Sequence, residues 1–471
     1  MADLHCDICM IGLGVMGRNF ALNIRDHGFS VAGYDRDGEQ LALWMAEAGG
    51  GNLFGAAKLE DAVRLLRKPR AVMMLVPAGP PVDAVIRELL PMLEAGDLII
   101  DGGNSHFRDT ELRQKTLAEK GLFLLGVGVS GGASSARGGP SLMPGGPREA
   151  YERICNIFES TAARVEGEPC VAYLGPGSAG HYVKMVHNGI EYGFLQLIAE
   201  TYDLMKRGLG LNDTELREVF RDWNGSELNS FLLEITVNIF GEVDPKTGRP
   251  LINEILDEAR QKGTGKWASE DAMELQVPIP TIDAAVAMRN LSMYKEERLA
   301  IHHALNLPLV GFTGDRSAFL DRLRNALYAA LILTYAQGMA QLRAASVTYG
   351  YGFPLETVAR IWRGGCIIRA AVLENIRGAF ERQPSLENLL TDPDLGAEVS
   401  KRRGDLKDVV CEAVGLGIPV PGLMASLGYL DSFRSDWLPA NLIQAQRDYF
   451  GAHTYERNDE KGVFHTQWIG Q

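Results

Sequence analysis

The feature that most constrains this chain lies between Cys6 and Asp26. A short apolar run, Cys6–Ile11, meets Gly12-Leu13-Gly14-Val15-Met16-Gly17, and a stretch of helical spacing continues to Asp26. Gly-x-Gly-x-x-Gly alone is a weak signal, but here it follows a strand and opens a helix, the setting its physics requires. Gly12 permits the tight turn, Gly14 lets backbone approach a pyrophosphate, and Gly17 lets the helix press on the strand. A glycine-rich turn without a ligand is the competing reading. Asp35 stands 18 residues after Gly17, at the end of a second apolar run, Phe29–Tyr34. A carboxylate there binds both ribose hydroxyls of NAD and repels a 2′-phosphate. Arg36 beside it can stack on adenine or pair with that phosphate. The balance leans to NAD, with dual use of NADP open. Val76-Pro77-Ala78 and Asn104 are further candidates at strand ends, where such a sheet opens its ligand crevice.

Short apolar runs at 6–11, 29–34, 70–76, 97–101, 122–128 and 170–174 alternate with helix-like stretches, which predicts a parallel sheet covered by helices on both faces. After Pro176-Gly177 the texture becomes long helical periodicity with glycine punctuation. The chain is therefore read as α/β and Rossmann-like over 1–178, all-helical over 179–439, and a polar, aromatic tail over 440–471. Within the helical part, the passage from Asn188 through Trp223 to Leu233-Glu234 recurs loosely from Asn325 through Trp362 to Leu373-Glu374. An offset of about 139 residues predicts an internal duplication, with chance similarity of helices as the alternative.

Composition narrows the partners. The 471 residues carry 47 Lys+Arg against 60 Asp+Glu, a formal charge of −13, which argues against nucleic acid and anionic membranes. Apolar stretches such as Ala326–Leu333 are far short of a membrane span, and Met1-Ala-Asp-Leu-His-Cys lacks the build of a signal peptide. Six cysteines are no disulfide scaffold, so a reduced, cytoplasmic setting is expected. Cys6 and Cys9 form a C-x-x-C, but inside an apolar run they read as core rather than as a redox pair.

The segment His181–Met205 is strongly apolar, yet Lys184, His187, Asn188 and Glu191 recur at i, i+3, i+4 and i+7 with Tyr192 at the edge, all on one helical face. A solvated face explains this as well as a site does. The site reading gains from position, since the helix begins where the dinucleotide domain ends. Its residue types also suit proton transfer: a Lys becomes a base near neutral pH once burial or cationic neighbours lower its pKa, and a Glu raised by burial donates a proton. The segment Gly126–Gly146 reads as a Gly-rich loop whose N–H groups, with Ser130, Gly131 and Gly132, suit a carboxylate. Lys262, Arg289, Arg447 and His453 are the cationic candidates for a phosphorylated substrate.

The motifs Val129–Gly132, Ser141–Gly146, Met185–Gly193, Gln261–Trp267, Trp362–Arg369 and Gln446–Glu456 together resemble those of the decarboxylating 6-phosphogluconate dehydrogenases, over the whole chain. The resemblance implies oxidation of 6-phosphogluconate at C3, loss of CO2 and formation of ribulose 5-phosphate. It casts Lys184 as base and acid, and Glu191 as proton donor to the enediol. Asn104, Ser130, Gly131, Gly132, His187 and Asn188 would hold the carboxylate end and hydroxyls. Tyr192, Lys262 and Arg289, with Arg447 and His453 from the tail of a second subunit, would hold the phosphate, so a homodimer with shared sites is implied. No metal is required. NADP-using members typically carry Asn-Arg-Thr at Asp35-Arg36-Asp37 and Lys at Pro77. The 2′-phosphate environment here is thus about three charges less positive, and one contact pair at ~4 Å and an effective dielectric of ~20 is worth several kcal/mol before screening. Ala133-Ser134-Ser135 and Phe194 also depart from the usual Glu-Glu-Gly and Asp. A dehydrogenase of an unphosphorylated β-hydroxyacid would leave Lys262, Arg289, Arg447 and His453 idle, and a non-catalytic dinucleotide binder would leave Lys184 and Glu191 idle.

Overall fold

Residues along β1 (Ile8–Ile11) alternate between two apolar layers, so the strand is buried on both faces, as parallel strands are. The computed structural model describes residues 5–48, 51–308 and 310–468. Residues 1–4, on which the absence of a leader was argued, and 469–471 of the expected tail lie outside these. The chain divides into two compact units, Met1–Ser426 and Leu427–Gln471.

In the first unit, β1 is followed by α1 (Val15–Asp26), β2 (Val31–Tyr34), α2 (Gly38–Ala48), β3 (Leu53–Gly55), α3 (Leu59–Arg64), β4 (Ala71–Met74), α4 (Pro80–Leu89), β5 (Leu98–Asp101), α5 (Phe107–Ala118) and β6 (Phe123–Ser130). Then come α6 (Gly132–Gly138), β7 (Ser141–Gly145) and α7 (Arg148–Thr161). The sheet order is β3-β2-β1-β4-β5-β6-β7, parallel except for β7, which pairs antiparallel with β6. Ile8, Met10, Met73 and Ile100 pack with Phe20, Ile24, Ile154 and Phe158 on one face. Cys9, Ile11, Val72, Met74 and Ile99 pack with Val63, Val82, Ile86 and Leu117 on the other. Cys6 and Cys9 are buried free thiols whose pKa burial pushes up, to about 11 for Cys6, as core residues should be.

Three sequence expectations need correction. The run 170–174 forms only an isolated bridge, Val171 with Leu142. The short β3 was not anticipated; its three residues are recruited by pairing with β2 rather than by any apolar pattern. Ser141–Gly146, read as loop, is largely β7, and Gly126–Ser130 belongs to β6. Its small residues answer the next helix, α8 (Ala179–Asp203): a Cβ on Gly145 would sit 2.2 Å from the Gly180 nitrogen.

The remaining helices are α9 (Asp213–Asn224), α10 (Phe231–Ile239), α11 (Thr264–Glu274), α12 (Pro280–Ser292), α13 (Lys295–Leu305), α14 (Arg316–Thr348), α15 (Leu355–Ile361), α16 (Val372–Arg382), α17 (Pro393–Leu416) and α18 (Pro421–Phe433). The long α8 and α14 pack together, and each is followed by two shorter helices with a buried Trp, Trp223 or Trp362, between or ending them. The turns before α10 and α16 pair with each other: Phe231 N–H donates to Arg369 O at 3.0 Å, and Ala371 N–H to Asn229 O at 2.9 Å. Residues about 140 apart thus exchange the paired bonds of an isolated antiparallel bridge, Ser230 with Ala370.

In the second unit, α19 (Ala440–Gly451) precedes a two-stranded turn with Tyr455 bridged to Phe464. Buried Asp448 organises it, accepting from Thr454 N–H, Thr466 N–H, His465 Nδ1 and Trp468 Nε1.

Candidate functional site

The glycine loop joins β1 to α1 at the carboxyl end of the sheet, beside β4, where the strand order reverses. Its shape is held by backbone: Gly12 N–H donates to Tyr34 O at 3.0 Å and Leu13 N–H to Asp35 Oδ2 at 2.6 Å. The other oxygen of Asp35 accepts from Asp37 N–H at 2.9 Å. A Cβ on Gly17 would lie 1.8 Å from Gly12 O, whereas one on Gly14 would meet nothing within 4 Å. The helix is therefore pressed onto the loop at Gly17, and the loop is bare at Gly14. Beside the loop, toward the ends of β2 and β4, lies a cleft of about 590 Å³ whose lining includes Gly12, Gly14, Asp35, Arg36, Val76 and Pro77. This cradle fits a dinucleotide, with a pyrophosphate over the bare backbone and a ribose against Asp35.

Other residues expected there sit differently. Asp37 is not part of the cleft lining; its Oδ1 accepts from Glu39 N–H at 2.9 Å and so starts α2. Leu13 is buried and Met16 packs on the core, while Val15 is exposed on the first turn of α1. Ala78 lies just past the cleft-lining pair Val76-Pro77, and Asn104 is exposed on the turn after β5. That turn is fixed by buried Asp101, which accepts from Gly103 N–H at 3.0 Å and Ser105 Oγ at 2.6 Å. The sequence reading missed Leu59, Val85 and Glu88, which line the cleft from α3 and α4; an apolar helix face gives no sign of which of its edges borders a ligand.

The polar face of α8 is withdrawn from water, which removes the solvated-face reading. Lys184 is 6 % exposed, His187 is fully buried, and Asn188 is 8 % exposed. The helix reaches this depth because β6 carries glycine where it crosses: a Cβ on Gly128 would stand 2.5 Å from the Lys184 Cβ. Two bonds of His181, Nε2 with Asp101 O at 3.0 Å and Nδ1 with Thr110 Oγ1 at 2.7 Å, fasten the first turns of α8 to β5 and α5.

Burial pushes the Lys184 ammonium down from its ordinary value, against the pull of Glu191 and Cys366. Burial pushes Glu191 up, opposed by Lys184 and Arg289. The two pKa values therefore move toward each other, the direction that a base and an acid working side by side require. His187 is held well below its usual value by burial and by Lys184, so its ring is neutral. Ser130 Oγ lies 3.0 Å from His187 Nε2, and Asn188 Nδ2 donates to Thr264 Oγ1 at 3.1 Å. Gly131, at φ 105°, caps α6, and Gly132 begins it.

Arg289 lies with its guanidinium 3.4 Å from the centroid of the Tyr192 ring. Gln261 Nε2 donates to Asn290 Oδ1 at 2.6 Å, so the segment bearing exposed Lys262 is tied beside Arg289. Ser130, Lys184, His187, Asn188, Glu191, Tyr192 and Arg289 thus form one connected region. Arg447 and His453 belong to the second unit, where both are exposed. Cys366, 2.8 Å from His187 Nε2, went unassigned in the sequence, where it was only part of the Trp362–Arg369 motif. Among the described residues no helix is long and apolar enough to cross a membrane, and no group of three or more His, Cys, Asp or Glu is set to hold a metal ion.

Comparison with known proteins covers nearly the whole chain. Residues 7–175 match the model for the NAD binding domain of 6-phosphogluconate dehydrogenase, and residues 180–468 the model for its C-terminal domain. The decarboxylating 6-phosphogluconate dehydrogenase of Synechococcus elongatus is 55% identical over 464 residues, 98% of each chain. The NADP(+)-dependent, decarboxylating enzyme of Bacillus subtilis is 50% identical over 463 residues, 98% of this chain and 99% of its own. Plasmodium falciparum 6-phosphogluconate dehydrogenase, solved in its apo form and in complex with its cofactor NADP+ and with its substrate 6-phosphogluconate, superposes with a TM-score of 0.95 at 44% identity. The match covers 98% of this chain and 100% of that one.

Proposed function

The chain belongs to the 6-phosphogluconate dehydrogenase family, and on that premise we propose that it oxidises 6-phosphogluconate at C3 and decarboxylates the product to ribulose 5-phosphate. The observation that carries this reading is the pair on one face of α8, buried Lys184 depressed and part-buried Glu191 raised, seven residues apart.

Neutral Lys184 takes the proton of the C3 hydroxyl. The bound nicotinamide supplies the hydride acceptor for C3. As an ammonium, Lys184 then donates to the 3-keto oxygen and stabilises the enediolate as CO2 leaves C2. Protonated Glu191 delivers its proton to the former C2, which has lost the carboxylate and becomes C1 of ribulose 5-phosphate, while Lys184 draws the enol proton back. One proton passing from Lys184 to Glu191 closes the cycle, replacing the one that Glu191 gave to carbon, so no proton is gained or lost overall. Ser130, Gly131, Gly132, Asn104, His187 and Asn188 bind the carboxylate end and hydroxyls; Tyr192, Lys262 and Arg289 bind the phosphate.

For the cofactor, Asp35 in the cleft supports NAD, and Arg36 beside it supports NADP, as do the named NADP users among the relatives. The reading adopted is use of both, with NAD favoured. For assembly, the tail of a second copy brings Arg447 and His453 to the phosphate in a homodimer. Exposed Trp437, Leu438, Leu442, Ile443 and Phe450 on the second unit support this, since an apolar surface of that kind calls for a partner.

Initial rates with 6-phosphogluconate, following reduced nicotinamide and CO2 with NAD and NADP side by side, test the reaction. A NADP-over-NAD efficiency ratio well above ten overturns the cofactor reading and leaves the reaction. Mixing inactive Lys184→Ala with inactive Arg447→Ala subunits should restore part of the activity; no recovery removes the shared site.

A further inference from the structure

The loop after α15 places a thiol against His187 of α8. Gly365 O accepts from Ser141 N–H at 2.8 Å and Ile361 O from Ser141 Oγ at 2.7 Å, so the loop is bound to β7. From that anchorage Cys366 Sγ stands 2.8 Å from His187 Nε2 and 3.6 Å from Ser130 Oγ, fully enclosed. Trp362 of the same loop meets the imidazole edge-on, with ring centroids 5.7 Å apart. On the other side of the ring, Nδ1 lies 2.9 Å from Asn188 Oδ1. With the amide NH2 of Asn188 donating to Thr264 Oγ1, its Oδ1 faces Nδ1, and a hydrogen on Nδ1 completes that bond. Nε2 is then a lone pair with two hydrogen-bearing neighbours, Ser130 Oγ at 3.0 Å and Cys366 Sγ at 2.8 Å; the Ser130 hydroxyl also reaches Cys366 Sγ, and giving its hydrogen there leaves the thiol as the donor to Nε2.

We propose that Cys366 is a positioning residue: its S–H donates to His187 Nε2, and with Asn188 at the other nitrogen it locks the ring as the neutral Nδ1–H tautomer. Burial pushes the Cys366 thiol up to about 12, so it keeps the proton it must donate. The groups facing His187 make this matter. Lys184 lies one turn before it, Glu191 lies one turn after it with Oε2 4.0 Å from Nδ1, and Arg289 reaches Glu191 from α12. A charge on His187 would hold Glu191 as carboxylate and repel the ammonium form of Lys184, spoiling both proposed roles. The donated S–H stabilises the neutral ring and so preserves the proton inventory of its neighbours.

The inference rests on the reaction proposed above, and Cys366→Ala, Cys366→Ser and the parent protein test it. Cys366→Ala should lower kcat with 6-phosphogluconate by roughly tenfold, a modest loss beside the 10²–10⁴ of a missing acid or base. The acid limb of its pH–rate profile should move up by about one unit, because His187 loses a bond that favours its neutral form. Cys366→Ser, which keeps a donor, should restore most of both, and the KM for the cofactor should stay unchanged in each. Magic-angle-spinning ¹⁵N spectra of histidine-labelled protein should show the Nδ1–H tautomer for His187 in the parent and in Cys366→Ser. A Cys366→Ala profile that superposes on the parent's, or Cys366→Ala and Cys366→Ser falling alike, overturns the proposal. Should the parent fail to turn over 6-phosphogluconate, the reaction is wrong, yet the tautomer spectrum still decides the role of Cys366: an Nε2–H ring in the parent overturns it.

Discussion

The dinucleotide cleft and the α8 face are built from opposite materials. The cleft is backbone left bare, open at Gly14 and shaped by glycine, with Asp35 stapling its turn through two N–H groups. The α8 face is side chains taken out of water, where burial sets each group's protonation. A site that only holds a ligand can stay exposed, because backbone N–H groups do not change charge. A site that moves protons must adjust pKa values, and withdrawal from water is the strongest lever for that.

Substitutions can break this contrast. The largest effect is expected at Lys184: Lys184→Ala should lower kcat by about 10²–10⁴-fold while cofactor affinity, measured by fluorescence titration, barely changes. A comparable loss of cofactor affinity would mean that the two regions are not separable. Next comes the cleft itself. Gly17→Ala drives a Cβ into Gly12 O and should cost about 1–3 kcal/mol of stability. Gly14→Ala should leave the melting temperature alone and weaken only the cofactor. Equal melting temperatures for the two would show that the helix is not pressed on the loop.

Asp35→Asn sharpens the cleft side. Losing one carboxylate charge beside Arg36 should raise the NADP/NAD ratio of kcat/KM by roughly tenfold, a fraction of the full contact energy once solvent screens it. An unchanged ratio would leave Asp35 a purely structural staple of the Leu13 turn.

The smallest effect tests burial away from the site. Glu200 accepts from Gly422 N–H at 2.7 Å and Leu423 N–H at 2.9 Å at the start of α18, yet burial raises its carboxyl from 4.5 to about 7. Between those values the native state binds more protons than the unfolded chain, so this group's contribution is full below about 4.5 and is lost as pH rises through about 7. Glu200→Gln should flatten that slope. Its melting temperature relative to the parent should rise by about 1–3 °C from pH 5 to pH 8, small because unfolding entropy scales with chain length. A parallel pair of curves would mean that Glu200 is ionised throughout.

Much of this molecule was legible in its residues. The strand–glycine–helix order placed β1, α1 and Asp35, because a turn and a close helix approach are local demands that only glycine meets. The i, i+3, i+4, i+7 spacing placed four polar groups on one face of α8, because helical geometry is set within a few residues. Six dispersed motifs pointed to the family. What the residues left open was whether that face met water or protein, and only packing answered it: α8 sinks against β6 and β7 where Gly128 and Gly145 allow. The strand character of Ser141–Gly145 was likewise invisible, since pairing with β6 and not its own composition makes it a strand. Asp37, similar in sequence to its neighbour Asp35, turned out to start α2 instead of lining the cleft. Cys366 reaches His187 across 179 residues of chain, a contact no local pattern encodes. Sequence alone determined which groups lie on one turn or one helical face. The tertiary structure decided which of them are dry, and so which protonation states they hold, because burial depends on what distant segments pack above them.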